Sequence, residues 1–366
     1  ALYFAVQALQ TDGGIQVTGS HNPPEFNGFK LVLAGDALHG PDLVQLYELI
    51  VSERWSTGAG GRREDGSVLR RYRQAIVDRH SLRRPVKVVV DCGNGVGSLI
   101  AVSTLEALGA EVVPLFCESD GTFPNHHPDP TVVENLRDLQ RRVRETGAEL
   151  GIAFDGDADR IGAVDETGRI IFGDQLLVLF GRDAVQRFGP GVPVIFDVKC
   201  SEILPQALAA AGARPEMWKT GHSLIKARMK ALDAPLAGEM SGHMFFGGDW
   251  YGFDDALFAA ARLLEIVSRG SGGLSALLAD LPASAVTPEI RIDCPEDRKF
   301  TVVQQATAFF SARYPVNTID GVRMTFPHGW GLIRASNTQP ILVLRFEARD
   351  QPTLRQYRHE VEAWLT

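Results

Sequence analysis

Apolar residues gather in short runs along this chain, separated by glycine-rich polar loops. "GGIQV" (13–17), "VKVVVD" (86–91), "ELGIAF" (149–154) and "VPVIFD" (192–197) are such runs, rich in β-branched residues and followed by turn formers, and they predict buried strands. Between them the apolar spacing changes to that of a helix. One predicted helix follows "CGNGVGS" and stops near Gly109; another, in "VKCSEILPQALAAAG", stops at Gly212. Strand, loop and helix in repeated alternation predict an α/β fold with parallel-type sheets. Ligands of such sheets collect beyond the C-terminal ends of the strands, so the loops after these runs are where chemistry is expected.

The two ends have a different texture. "ALYFAVQALQ" (1–10) reads as a helix without the basic flank or cleavage pattern of a signal peptide. "PILVLRFEA" (340–348) predicts a strand, and "TLRQYRHEVEAWL" (353–365) sets Leu354, Tyr357, Val361 and Trp364 at helical spacing. Together they predict a small closing α+β domain. "STGAGGRREDG" (56–66) and "LPASAVTPE" (281–289) read as joints between domains.

Length and charge narrow the picture. At about 150 residues per domain, a chain of this length holds two or three domains, more if they are small. The net charge of −8 argues against general nucleic-acid binding, so an anionic ligand needs a local basic site. No run of about 18 apolar residues predicts a membrane span. Cys92, Cys117, Cys200 and Cys294 are widely spaced and form no CxxC pair, which fits a reducing cytoplasm better than a disulfide framework or a zinc site.

"FDGDADR" (154–160) carries the strongest chemical signal. Asp155, Asp157 and Asp159 alternate, and on an extended segment alternate side chains share a face. Three carboxylates so close need a cation, and an all-oxygen set suits Mg²⁺ or Ca²⁺. Glu166 falls at the twelfth position of an EF-hand count, but Arg160 stands where that loop needs glycine, and "IGAVDETGRIIF" reads as a hairpin instead of a helix. Arg160 beside a metal suits a phosphate contact. "DCGNGVGS" (91–98) has Gly93, Gly95 and Gly97 but Ser98 where a dinucleotide fingerprint has glycine, so a tight strand-to-helix turn is favoured. "GEMSGH" (238–243) offers Glu239, Ser241 and His243, which suit sugar hydroxyls and proton transfer. "RASNTQP" (334–340) sketches a phosphate clamp from Arg334, Ser336, Asn337 and Thr338, or else a turn closed by Pro340. Lys199 directly follows a strand, and His222 opens "HSLIKARMK". Ser20, in "VTGSHNPPEFNGFK" (17–30), lies outside any G-x-S-x-G elbow. A serine that cycles a phosphoryl group needs only a rigid loop and a metal; Pro23 and Pro24 stiffen the loop, and Lys30 and the aspartates supply the charge.

Taken together, "TGSHNPPEFNGFK", "DGDADR", "GEMSGH" and "RASNTQP" resemble the α-D-phosphohexomutases, in the family's order and across nearly the whole chain. "CESDGTFPNHHPDP", "KTGHSLIK" and "GWGLIRASN" are similar to its bacterial phosphomannomutase/phosphoglucomutase branch. The resemblance implies three related α/β/α domains and a C-terminal α+β, TBP-like domain around a central cleft. Residues 1–60 would be the back part of the first domain, its front absent here, with the phosphoserine loop. Residues 66–168 would carry the metal loop, 169–282 the sugar loop and 286–366 the phosphate loop. The implied enzyme is a cytoplasmic, monomeric isomerase that interconverts hexose 1-phosphate and hexose 6-phosphate of mannose or glucose. It would work through phosphate on Ser20 and a hexose 1,6-bisphosphate, with glucose 1,6-bisphosphate as activator. Mg²⁺ would sit between Ser20, Asp155, Asp157 and Asp159. His21, Lys30, Arg160 and His243 match positions beside the transferring group. Glu239 and Ser241 match the sugar loop, Arg334, Ser336, Asn337 and Thr338 the distal clamp, and Lys199 and His222 further substrate contacts. Phosphoglucosamine mutase is the alternative within the family, though its sugar loop usually has Gln where Met240 stands. Two readings from other classes are an NAD-dependent oxidoreductase built on the three glycines and a sugar-phosphate-binding module without turnover.

Overall fold

The computed structural model describes residues 1–19, 26–337 and 339–365. Four sheets follow one another along the chain, each with helices of its own. The first contains Gly13–Thr18, Gly28–Leu33 and Asp36–Ala37, flanked by helices Leu2–Leu9 and Pro41–Val51. It is antiparallel throughout, against the expectation of parallel pairing. The reason is length: the loop 19–27 suffices for a hairpin, whereas a parallel crossover needs a dozen or more residues.

The second and third sheets repeat one plan. In the second, Glu111–Leu115, Lys87–Asp91 and Leu150–Phe154 run parallel, and Ile161–Asp165 and Ile170–Ile171 add on antiparallel. In the third, Arg214–Trp218, Pro193–Asp197 and Leu236–Gly238 run parallel, and Met244–Phe246 closes the edge antiparallel. Each therefore places a hairpin turn at the C-terminal end of its third parallel strand: residues 155–160 in one sheet, 239–243 in the other. The fourth sheet is antiparallel, from Ala285–Val286 to Val316–Asn317, with Gly329–Ala335 central and helices Lys299–Ser311 and Gln351–Leu365 packed on it. The stretch 281–289, expected as a joint, thus already contributes a strand to this sheet.

One apolar core runs through the second and third sheets, joined by helices Gly173–Phe188 and Ala256–Ser268, whose apolar residues surround most of their circumference. The fourth sheet has a separate core around Phe310, Leu344, Phe346 and Tyr357. It is tied to the third by Arg323, whose guanidinium lies 3.8 Å from the Trp330 ring and donates to the Val198 carbonyl at 2.6 Å. The first sheet and the helix Pro41–Val51 bury little: Ile15 and Phe29 of the sheet are 66% and 67% exposed, and Tyr47 of the helix 65%.

His80 shows how the main core treats a titratable group. It is buried, its Nδ1–H donates to the Ile76 carbonyl at 2.9 Å, and its ring meets Phe258 edge-on at 4.6 Å. Burial, with Arg262 nearby, pushes the imidazole down to about 4. Unfolded, the same group binds a proton near pH 6.5. Above pH 6.5 the group is neutral in both states and costs nothing; as pH falls towards 4 the unfolded chain takes up a proton that the folded chain resists, which shifts the balance towards unfolding by about 3 kcal/mol. Denaturant titrations of the wild type and His80→Gln at pH 7 and pH 4.5 measure this. The variant is expected to lose less stability over that interval; an equal loss would contradict the assignment.

Candidate active site

The first two sheets meet at a pair of hairpins. Strands Gly13–Thr18 and Gly28–Leu33 carry the loop 19–27 between them. Ser20 and His21, the expected nucleophile and its neighbour, lie outside the described residues. The strand ends beside the loop are anchored on the second sheet. Thr18 Oγ1 donates to Asp157 Oδ2 at 3.3 Å, and Lys30 Nζ donates to the same oxygen at 2.7 Å and also to Asp159.

Asp155, Asp157 and Asp159 belong to the turn between Leu150–Phe154 and Ile161–Asp165, not to an extended segment as the sequence suggested. Ala158 takes the left-handed conformation, with φ of 58°, and the curl brings the carboxylates together where simple alternation would not. Oxygens from all three lie within 4.8 Å of one another, so the group could hold a metal ion. Burial and the charges of Asp159 and Asp157 push Asp155 up to about 8, although Arg160 opposes them. Asp159 Oδ1 is buried without a hydrogen bond among the described residues. An all-oxygen, over-negative pocket with an unsatisfied oxygen fits a hard divalent cation.

Arg160 is buried between Asp155 (Nε at 3.0 Å) and Asp129 (Nη1 at 3.2 Å), and its Nη2 has no hydrogen bond among the described residues. Its backbone bridges to His243, at the far end of the matching turn in the third sheet. His243 Nδ1 is 3.3 Å from Asp254 and 3.6 Å from Asp159. Burial pulls the imidazole down, but Asp159, Asp254 and Glu239 outweigh it and raise it to about 9. His222 stacks on His243 at 6.2 Å and also faces Asp254, at 3.6 Å.

The remaining expected residues form a second group. Glu239 accepts from the Gly221 amide at 2.6 Å and from Ser241 Oγ at 3.1 Å. Asp197 accepts from the Met240 amide and from Thr220 Oγ1, each at 3.0 Å. The Thr220 amide donates to Asp320, which also holds Arg334 Nε at 3.1 Å. Lys199 is buried between Glu289 at 3.1 Å and Asp197 at 3.7 Å. Ser336 Oγ accepts from the Gln339 amide, as a turn would require, and Asn337 is exposed; Thr338 lies outside the described residues. The turn 239–243 connects the groups, with Glu239 in one and His243 in the other. A cavity of about 510 Å³ opens beside the first group, lined by Thr18, Lys30, Asp157, Asp159 and Asn94 among others; the second group does not line it.

This arrangement has known counterparts. The chain is 49% identical over 368 residues to the phosphomannomutase/phosphoglucomutase of Pseudomonas aeruginosa, covering 99% of this chain and 79% of that protein. Models of all four phosphoglucomutase/phosphomannomutase domains match: alpha/beta/alpha domain I at 1–55, II at 70–168, III at 172–285 and the C-terminal domain at 289–363. The chain belongs to the phosphoglucomutase/phosphomannomutase family. A solved family protein from Burkholderia thailandensis superposes with a TM-score of 0.90 at 46% identity, over 96% of this chain and 76% of that one. A probable phosphoglucosamine mutase of Methanopyrus kandleri is less similar, at 32% identity over 98% of this chain and 79% of that protein.

Reading the sequence for this mutase family's residues missed the acids that hold its cations. Asp254, Asp320, Asp129 and Glu289 all lie outside the motifs that hold the groups they pair with; Asp129 and Glu289 stood inside quoted stretches, but neither was singled out. Asp254 also faces Lys226 at 3.6 Å, whose Nζ donates to Tyr3. The Asp turn depends equally on a residue without a side chain. A Cβ on Gly95 would lie 2.7 Å from the Gly156 carbonyl oxygen, between two of the carboxylates. Gly95→Ala is expected to cost about 1–3 kcal/mol by overpacking and to weaken binding of a divalent cation. Denaturation and a metal titration check this; an unchanged metal affinity would place the Asp turn beyond reach of Gly95.

Proposed function

We propose that this chain catalyses reversible phosphoryl transfer between the 1- and 6-positions of glucose and mannose phosphates. Ser20 would carry the phosphoryl group, and a hexose 1,6-bisphosphate would form and turn within the cleft. The observation that carries this reading is the Asp155–Asp157–Asp159 cluster placed under the ends of the Ser20 loop, with Thr18 and Lys30 bridging the two. A hydrolase relay or a dinucleotide site would leave that pairing without a purpose.

Asp155, Asp157, Asp159 and Ser20 would hold Mg²⁺, which supplies charge neutralisation at the phosphoryl oxygens when bound. Lys30 brings a half-buried ammonium to the same spot, and its partners Asp159 and Asp157 keep it charged against the cost of partial burial. Arg160 offers the hydrogens of Nη2 to a phosphoryl oxygen. His21 would stand beside the group in transfer. His243 is held by Asp254 at Nδ1, and its Nε2 is the atom that would exchange a proton with a sugar hydroxyl. Glu239, oriented by Gly221 and Ser241, would accept from the sugar hydroxyls. Arg334, Ser336, Asn337 and Thr338 would hold the phosphate not being transferred, with Lys199 and His222 as further contacts. The enzyme would act as a monomer, and phosphorylated sugars as substrates support a cytoplasmic enzyme. Added glucose 1,6-bisphosphate would activate by rephosphorylating Ser20. Among the described residues no helix is long and apolar enough to cross a membrane.

Two measurements test this reading. Chelation by EDTA is expected to abolish exchange and Mg²⁺ to restore it, and Asp157→Asn to lower both rate and metal affinity; full turnover in excess chelator would contradict the metal role. The second concerns the sugar. Glu239 and Ser241 match a loop that reads the hydroxyls at C3 and C4, which glucose and mannose share. The bisphosphate must also bind in two orientations, so a tight C2 pocket would have to serve both. Values of kcat/KM for glucose 1-phosphate and mannose 1-phosphate are expected within about a hundredfold. Glucosamine phosphates are expected to be poorer, and a preference for glucosamine 6-phosphate would favour the alternative mutase.

A further inference from the structure

Cys92 and Cys117 lie at the C-terminal ends of neighbouring parallel strands. Cys92 follows Lys87–Asp91, Cys117 comes shortly after Glu111–Leu115, and the Cys92 amide donates to the Leu115 carbonyl at 3.2 Å. Between Leu115 and Cys117, Phe116 takes a φ of 50°, in the left-handed region that bulky residues rarely enter. This turn brings Cys117 back over Cys92, and their sulfurs lie 3.1 Å apart. Both thiols are free; Cys92 is fully buried, and Cys117 is partly exposed. The spacing of the cysteines gave no sign of this pairing, and neither thiol has a part in the proposed phosphoryl transfer.

We propose that Cys92 and Cys117 form a thiol–disulfide modification site, closed by a hydroperoxide and reopened by a thiol reductant. The exposed member is also the better nucleophile. Its contact with Cys92 holds the Cys117 thiol below its ordinary value despite partial burial, whereas that contact and burial push Cys92 up. The Cys117 thiolate attacks the terminal oxygen of the hydroperoxide. The S–O bond forms, the O–O bond breaks, and the departing alkoxide takes a proton to leave as an alcohol. The Cys92 sulfur then attacks the sulfenic sulfur of Cys117. The S–S bond forms, the S–O bond breaks, and hydroxide leaves with the Cys92 proton as water. The two thiols lose two electrons and the hydroperoxide gains them.

The same pair is coupled to the Asp turn. The Asn94 amide donates to the Phe116 carbonyl at 2.8 Å, and the Val96 amide donates to the Gly156 carbonyl at 3.0 Å. A disulfide draws the two sulfurs about 1 Å closer than they now stand. The turn 92–95 must shift to allow this, and Gly95 already touches Gly156, between Asp155 and Asp157. Closing the disulfide is therefore expected to weaken Mg²⁺ binding and slow turnover about tenfold or more; this consequence rests on the metal role proposed above.

The test uses the whole chain treated with stoichiometric hydrogen peroxide. Intact mass is expected to fall by two hydrogen atoms, with a cross-linked peptide joining Cys92 and Cys117, and dithiothreitol is expected to reverse both changes. Cys294→Ser should form the link as the wild type does, whereas Cys92→Ser and Cys117→Ser should not. Oxidation of Cys117 to sulfinic acid with no cross-link, or no modification of either thiol, would overturn the site. A cross-linked protein that keeps the Mg²⁺ affinity of the reduced form would overturn the coupling. The mass measurement reads the pair whether or not the chain turns over sugar phosphates. Failure of the reduced protein to catalyse exchange would therefore count against the proposed activity and not against the cysteine site.

Discussion

Buried negative charge is the constraint around which this structure is organised. Asp155, Asp157, Asp159 and Asp254 converge where the first three sheets meet, and Asp155 and Asp254 are almost wholly out of solvent. Burial, with the charges of Asp159 and Asp157 added to it, pushes Asp155 up to about 8 even though three N–H groups donate to it. The cations that answer it come from separate parts of the chain: Lys30 from the first sheet, Arg160 from the second, Lys226 and His243 from the third. Removing one member of such a buried set leaves its partner uncompensated, at a cost of about 3–5 kcal/mol. The charge cluster therefore fixes how these three sheets sit together, and a divalent cation is the natural complement to it.

The repeated plan of the second and third sheets brings two polar turns into one cluster. Each sheet ends its third parallel strand in a hairpin turn, one carrying aspartates and the other Glu239, Ser241 and His243. The turns meet directly. The Ile161 amide donates to the Gly242 carbonyl at 3.1 Å, and a Cβ on Gly242 would lie 2.3 Å from the Ile161 carbonyl oxygen. That close approach, at a φ of 97°, needs glycine and sets His243 beside Asp159. The fourth sheet joins through a polar chain from Glu239 by way of Gly221, Thr220 and Asp320 to Arg334.

What the sequence displayed and what it hid follow from distance along the chain. Strands such as Lys87–Asp91 and Pro193–Asp197 were legible because burial on both faces leaves an unbroken apolar run. The helix Gln351–Leu365 was legible from its apolar stripe, and Trp364 does pack on Phe309 and Phe310, with ring centroids 5.6 Å away from each. The Asp triplet was legible because its members are adjacent, but its shape was not, since alternation suggests a strand and Ala158 makes a turn. Asp254 in "GFDD" and Asp320 in "IDG" look like ordinary surface acids; only the fold reveals what they pair with. Cys92 and Cys117 came together through a left-handed residue, Phe116, that no propensity would have placed there. The antiparallel first sheet was misjudged because its strand resembles the others locally, and only the short return loop tells them apart.

The central proposal is that Ser20 receives and returns a phosphoryl group, with the Asp cluster holding the metal. It is tested most directly by exposing the reduced chain and Mg²⁺ to glucose 1,6-bisphosphate labelled with radioactive phosphorus, then mapping the label by proteolysis and mass spectrometry. The account predicts one phosphate per chain, on Ser20, with the label chased off by unlabelled glucose 1-phosphate. Label on another residue, or sugar-phosphate exchange with Ser20 never phosphorylated, would contradict it.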